Sequence, residues 1–160
     1  MRIILSILLA IVTAQVGFGQ KNFSWSDSEI KKNSYRKLFI SAPIDGVTSK
    51  NTYKYNSSSC DTLISFLKKY PNKSFRIEVH EGVLRTEEIS LKITRRFANA
   101  IMGVLVDKGV DINNIEVIGV GESNPIIKEE DIVAASNIDK IKIDSMNNRR
   151  VLLIVNEDIE

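Results

Sequence analysis

Few side chains in this 160-residue sequence are of a type that does chemistry near neutral pH. There is one histidine, His80, followed by Glu81 and Gly82, and one cysteine, Cys60. A metal centre is not expected, because a lone histidine without a useful cysteine supplies too few ligands. No Ser–His–acid spacing or paired-carboxylate motif stands out. The turn Gly119-Val120-Gly121-Glu122 lacks the lysine and the strand-to-helix context of a phosphate loop. A single cysteine allows no internal disulfide. Nothing basic is placed to lower the Cys60 pKa, so Cys60 reads as a small apolar residue packed on a helix. The chain is therefore read as non-enzymatic, with no catalytic residue, no metal and no cofactor.

The elements that position these residues follow from periodicity. Phe75, Ile77 and Val79 alternate with Arg76, Glu78 and His80, which is the period of a half-buried strand. From Ile93 the apolar residues Phe97, Ala100, Ile101, Val104 and Leu105 recur at threes and fours, one stripe of an amphipathic helix. Gly109 ends that helix, since glycine accepts the left-handed conformation at little cost. Ile115–Val120 is apolar and β-branched, a second strand, and Asn148–Val155 closes the chain as another. Upstream, Lys37–Ala42 reads as a first strand ended by Pro43, and Thr52–Tyr55 as a short extended piece. Ser57, Ser58 and Ser59 offer an N-cap for a helix whose apolar face is Cys60, Leu63, Ile64 and Leu67. Glu129–Ala135 reads as a short helix, and Lys140–Ile143 alternates like a brief strand.

At these residues the chain resembles the OmpA-like domain, the periplasmic module that grips peptidoglycan. Gly119-Val120-Gly121-Glu122-Ser123-Asn124-Pro125 matches the family's G-x-G-E-x-x-P turn, and Asn148-Arg149-Arg150-Val151 its N-R-R-V motif. Leu91, Ile93, Thr94, Ala98 and Ile101 match the helix without a gap. The resemblance covers about Tyr35 to Val155. It implies an α/β (α+β) fold, a β-α-β-α-β mixed sheet with helices packed on one face, over residues 35–160. It also implies a cell-envelope location, periplasmic and associated with the outer membrane.

The same alignment carries the family's ligand site onto His80, Glu81, Gly82, Ser90, Phe97, Arg149 and Arg150. In the family, an Asp at position 82 and an Arg at position 97 hold the charged ends of diaminopimelate, assisted by an Asn at position 90. Here all three differ, and Asp144 and Ser145 stand where the family usually has Gly-Arg. A charge-assisted hydrogen bond is worth roughly 1.5–3 kcal/mol. Losing two costs on the order of 3–6 kcal/mol, or about 10²–10⁴-fold in affinity. Arg96 cannot easily replace the missing arginine, because one residue on a helix is about 100° of rotation; Glu81, in a loop, has more freedom. Of Arg149 and Arg150, one is expected to line the site and the other to make a structural ion pair. Lys92, Arg95, Arg96 and Asn99 form the helix's polar face. The resemblance implies peptidoglycan as partner, with binding weakened by the substitutions, or an envelope protein in its place. The deciding feature is the pocket. His80, Glu81, Arg85 or Arg149 converging on an open cleft favours wall binding; Phe97 filling that cleft opposes it.

Composition agrees with one exported domain. Residues 1–20 read as a signal peptide, with Arg2 as its positive end and Ile3–Val12 as an apolar run too short to span a bilayer. Residues 21–34 are polar and read as a linker or loosely docked arm. The formal net charge is +2, one unit less without Arg2, which gives no electrostatic case for nucleic acid. No transmembrane span is expected in the mature chain.

Overall fold

The computed structural model describes residues 22–158, apart from 84, 135 and 136. The proposed leader lies outside the described residues. The elements run β1 (Tyr35–Leu38), α1 (Ser49–Lys69), β2 (Lys73–His80), α2 (Glu87–Asp107), β3 (Ile115–Gly121), α3 (Glu129–Val133), α4 (Ile138–Asn148) and β4 (Arg150–Asp158). The four strands form one mixed sheet in the order β1-β4-β2-β3. β2 and β3 are parallel, with Ile77 beside Val117. β4 is antiparallel to β2, with Ile77 beside Leu153, and antiparallel to β1.

The alternation of β2 sends Phe75, Ile77 and Val79 into the core, which Val151, Leu153 and Val155 of β4 share. α1 and α2 cover this side. The α2 stripe Phe97, Ala100, Ile101, Val104 and Leu105 is buried, while Lys92, Arg95, Arg96 and Asn99 are exposed. Each fully buried Ile or Leu stabilises by about 1.5–3 kcal/mol. Thr86 caps α2, its hydroxyl accepting from the Ile89 amide, with Glu87 and Glu88 in the first turn where the helix dipole favours acids. Gly109 follows the last turn at φ +67°, the left-handed geometry anticipated for it. Cys60 is buried on α1, and burial pushes its thiol up to about 11.

Two upstream expectations are corrected. Thr52–Tyr55 is not extended but belongs to α1, which starts at Ser49 behind an N-cap at Thr48. The buried face of its first turns is polar: Thr52 and Asn56. Asn56 breaks the helix at φ −131°, just before Ser57–Ser59. Its side chain accepts from the Ser41 amide and donates to the Ser41 and Thr52 carbonyls. These bonds hold Ser41 out of the sheet, so β1 ends at Leu38 rather than at Ala42. A third correction falls on Lys140–Ile143, which lies inside helix α4. Asn137 caps that helix, and its inward positions Ser145 and Asn148 are polar.

Residues 22–34 pack along β1 and α1. Phe23 stacks on Phe66 with ring centroids 5.3 Å apart, Trp25 meets Phe66 edge-on at 5.0 Å, and Ile30 is buried. The Asn33 amide donates to the Val155 carbonyl, and the Val155 amide to that of Ser34. No helix among the described residues is long and apolar enough to cross a membrane.

Candidate functional site

The aligned residues meet at the end of the sheet where β1 and β2 finish and β4 begins. β2 delivers His80, and the loop that follows it Glu81 and Gly82. α2 delivers Ser90, Thr94 and Phe97 from its first half. Two glycines fix the approach of α2 to β3. A Cβ on Gly119 would lie 2.2 Å from the Arg95 nitrogen and 2.2 Å from the Thr94 carbonyl carbon, so only glycine fits. Gly121 turns the chain at φ +65°, and its amide donates to the Thr94 hydroxyl. That hydroxyl in turn donates back to the Ser90 carbonyl within the helix. The motif Gly-x-Gly against Thr94 is thus a packing device that sets helix against strand.

His80 is buried. Its Nδ1 lies 3.2 Å from the Ser123 carbonyl oxygen and its Nε2 3.2 Å from Glu78 Oε2. The hydrogen bond to His80 holds the Glu78 carboxyl below its ordinary pKa of 4.5, aided by the charges of His80, Arg76 and Arg150 and opposed by burial. Glu81 is also nearly buried. Its amide donates to the Gly121 carbonyl at 2.7 Å; its carboxylate accepts from the Gly82 amide at 3.1 Å and pairs with the Arg149 guanidinium. Arg149 remains half exposed. Arg150 is tied inward by donating to the Asn148 and Asn124 carbonyls at 3.0 and 2.8 Å. Burial lowers its pKa, and the Glu78 carboxylate opposes that. Asn148 is fully buried and exchanges two hydrogen bonds with the Ile127 backbone, so it fastens the segment after the glycine turn.

Gly82 faces α4. A Cβ there would lie 2.5 Å from Ser145 Oγ and 2.7 Å from the Ser145 carbonyl oxygen. Ser145 therefore occupies the room that a side chain at position 82 needs. Ser90 is fully buried and donates to Glu122 Oε2 at 3.4 Å.

A cleft of about 530 Å³ opens beside these residues. His80, Glu81, Phe97, Arg149 and Arg150 line it; Gly82, Ser90 and Arg85 do not. Phe97 is 5% exposed and forms part of the cleft wall. Sequence reasoning missed the opposite side of the cleft, Lys37 to Ala42, and Met146 of α4. Reading Lys37–Ala42 as strand put Phe39 on a sheet face; in the structure it is 78% exposed at the cleft mouth. Among the described residues, no group of three or more His, Cys, Asp or Glu stands close enough to hold a metal ion.

No family model matches the chain. It is 30% identical over 105 residues to outer membrane porin F of Pseudomonas aeruginosa, an alignment covering 65% of this chain and 24% of that protein. It is 33% identical over 75 residues to the peptidoglycan-associated lipoprotein of Rhizobium meliloti, covering 47% of this chain and 43% of that one. The chain thus spans less than half the length of either relative. The crystal structure of the peptidoglycan-associated lipoprotein from Burkholderia pseudomallei superposes with a TM-score of 0.53 at 18% identity, over 76% of this chain and 90% of that one. At that identity the likeness speaks for the fold alone, and it is the mixed sheet with helices described above. The glycine turn set against Thr94, the Asn148-Arg149-Arg150-Val151 entrance to β4 and these similarities agree: the chain has the OmpA-like fold and is similar in sequence to proteins that carry it.

Proposed function

We propose that this chain is a non-enzymatic module of the cell envelope, built on a peptidoglycan-associating scaffold whose diaminopimelate grip is degenerate. The observation that carries the reading is the contact of Gly82 with Ser145. The position at which the family presents its carboxylate has no side chain and no room for one. The neighbouring carboxylate, Glu81, is nearly buried and already neutralised by Arg149. A ligand ammonium would have to displace that guanidinium, which forfeits a charge-assisted bond of about 1.5–3 kcal/mol. At position 97 a buried ring stands in place of a guanidinium. The names of the similar proteins, outer membrane porin and peptidoglycan-associated lipoprotein, support an envelope location.

The test is co-sedimentation. The chain, harvested in the form in which cells export it, is mixed with purified sacculi and pelleted. The expected result is no pelleting that free diaminopimelate competes away. Pelleting that diaminopimelate does abolish would overturn the degenerate-site reading, and Glu81 with Arg149 would then be the grip.

A second reading, a protein-interaction module, is favoured by the mouth of the cleft. Phe39 and Met146 are both largely exposed there, at 78% and 64%, and large apolar groups beside an arginine are characteristic of protein interfaces.

A further inference from the structure

We infer that the cleft is a socket for a short segment of a partner protein that carries one bulky apolar side chain flanked by Asp or Glu. The inference rests on the second reading above and adds the chemistry of the partner.

Three features of the cleft support it. Its floor is apolar and already rigid, made by Leu38, Ile40, Val79 and Phe97, all buried in the core. Its mouth is flanked by two flexible or large apolar side chains from different elements, Phe39 on the continuation of β1 and Met146 on α4. Both lie in water in the free chain, and methionine adapts to varied apolar partners. An inserted side chain would rest on this floor and cover both exposed flanking groups at once. The volume of about 530 Å³ is within the roughly 300–1,000 Å³ of sites that enclose most of a small ligand.

The charge on the walls selects the flanks of that segment. Lys37, Arg149 and Arg150 line the cleft, against Glu81 as its one acidic residue. Since Glu81 pairs with Arg149, the balance at the rim is positive, which attracts carboxylates and repels basic segments. Arg149 is half exposed and keeps donors turned outward while holding Glu81.

A sugar fits the same walls less well, because the hydroxyls that line them are engaged. Ser41 Oγ donates to Asn56 Oδ1, and Thr94 Oγ1 donates to the Ser90 carbonyl. Diaminopimelate needs a free carboxylate for its ammonium, and the cleft has none.

The experiment is selection from a random heptapeptide library displayed on phage, panned on the exported chain. Two variants at exposed positions, Phe39→Ser and Lys37→Glu, serve as counter-targets. The expected result is a consensus with one bulky apolar residue next to Asp or Glu. A selected peptide should bind each variant at least tenfold more weakly than the parent chain. No enrichment, a basic consensus, or equal binding to Phe39→Ser overturns the inference. Dodecanoate binding in the cleft without peptide enrichment overturns it too and assigns a lipid carboxylate. If free diaminopimelate displaces the selected peptide, the degenerate-site reading falls as well. If no peptide is selected and diaminopimelate has no effect on sacculi, only this inference falls.

Discussion

Gly82→Ala tests the contact that closes the aligned site. Gly82 does not need its conformational freedom, since its φ lies outside the left-handed region. At such a position alanine ordinarily stabilises by about 0.4–1 kcal/mol, by restricting the unfolded chain. Here the new Cβ would sit 2.5 Å from Ser145 Oγ and 2.7 Å from the Ser145 carbonyl oxygen. The hydroxyl can rotate away; the carbonyl belongs to the backbone of α4 and moves only with the helix. Overpacking of this kind costs about 1–3 kcal/mol, so the net expectation is a loss of about 0.5–2 kcal/mol. Ser145→Ala removes only the hydroxyl. A double-mutant cycle should therefore return a coupling of about 0.5–1 kcal/mol rather than full rescue. Gly82→Asp should be worse than Gly82→Ala, which means that simple reversion cannot rebuild the family carboxylate. Urea unfolding reads all five proteins, through the midpoint at constant m-value. If Gly82→Ala is as stable as the parent or more so, α4 does not lie against Gly82 and the closed-site reasoning fails.

Three further outcomes are expected. Arg149→Ala leaves the nearly buried Glu81 without its cation and should destabilise by about 1–2 kcal/mol, a value discounted from that of a fully buried pair because Arg149 is half exposed; Glu81→Gln in the Arg149→Ala background should recover part of this in the same urea assay. Because Glu78 titrates below its ordinary 4.5 in the fold, its ionised form adds stability that is complete above the unfolded value and is lost as pH falls through the folded one. Glu78→Gln should therefore flatten the acid limb of a stability–pH profile below about pH 4.5, and an unchanged limb would contradict the His80–Glu78 bond. Gly119→Ala drives a Cβ into the α2 backbone at 2.2 Å; a thermal melt should show a loss at or beyond the upper end of about 1–3 kcal/mol.

The legible parts of the fold were those in which the apolar period is carried by apolar residues. The Phe75-Ile77-Val79 alternation and the Phe97-to-Leu105 stripe have one physical reading each, and both place their residues in the core. The first turns of α1 were hidden because their buried face is Thr52 and Asn56, polar residues that leave no apolar stripe; the hydrogen bonds on that face are those of the Asn56 side chain. α4 was hidden behind the polar Ser145 and Asn148, while Ile141 and Ile143 alternating with Lys140 and Lys142 imitated a strand. At the site, neighbours in sequence could be aligned but distant partners could not. The pairing of Glu81 with Arg149 and the contact of Gly82 with Ser145 join residues more than sixty positions apart, through a helix whose existence was itself misread. The exposed Phe39 was missed because strand periodicity assigns a face, whereas it is the Asn56 hydrogen bonds to Ser41 that take this stretch out of the sheet.

The place of β4 in the sheet has a consequence for how the molecule is made. It is the last of the described strands in sequence, yet it lies between β1 and β2 and bonds to both. Until Arg150–Asp158 has been synthesised, β1 has no partner strand apart from the isolated bridge to Asn22, and β2 has only β3. Domains that must wait for such long-range pairing fold slowly. A nascent chain of this protein therefore lacks the strand that joins β1 to the β2–β3 pair until residues 150–158 have been made. Ribosomes stalled before codon 150 should hold a chain that protease digests readily, and release of the last strand should convert the whole domain at once.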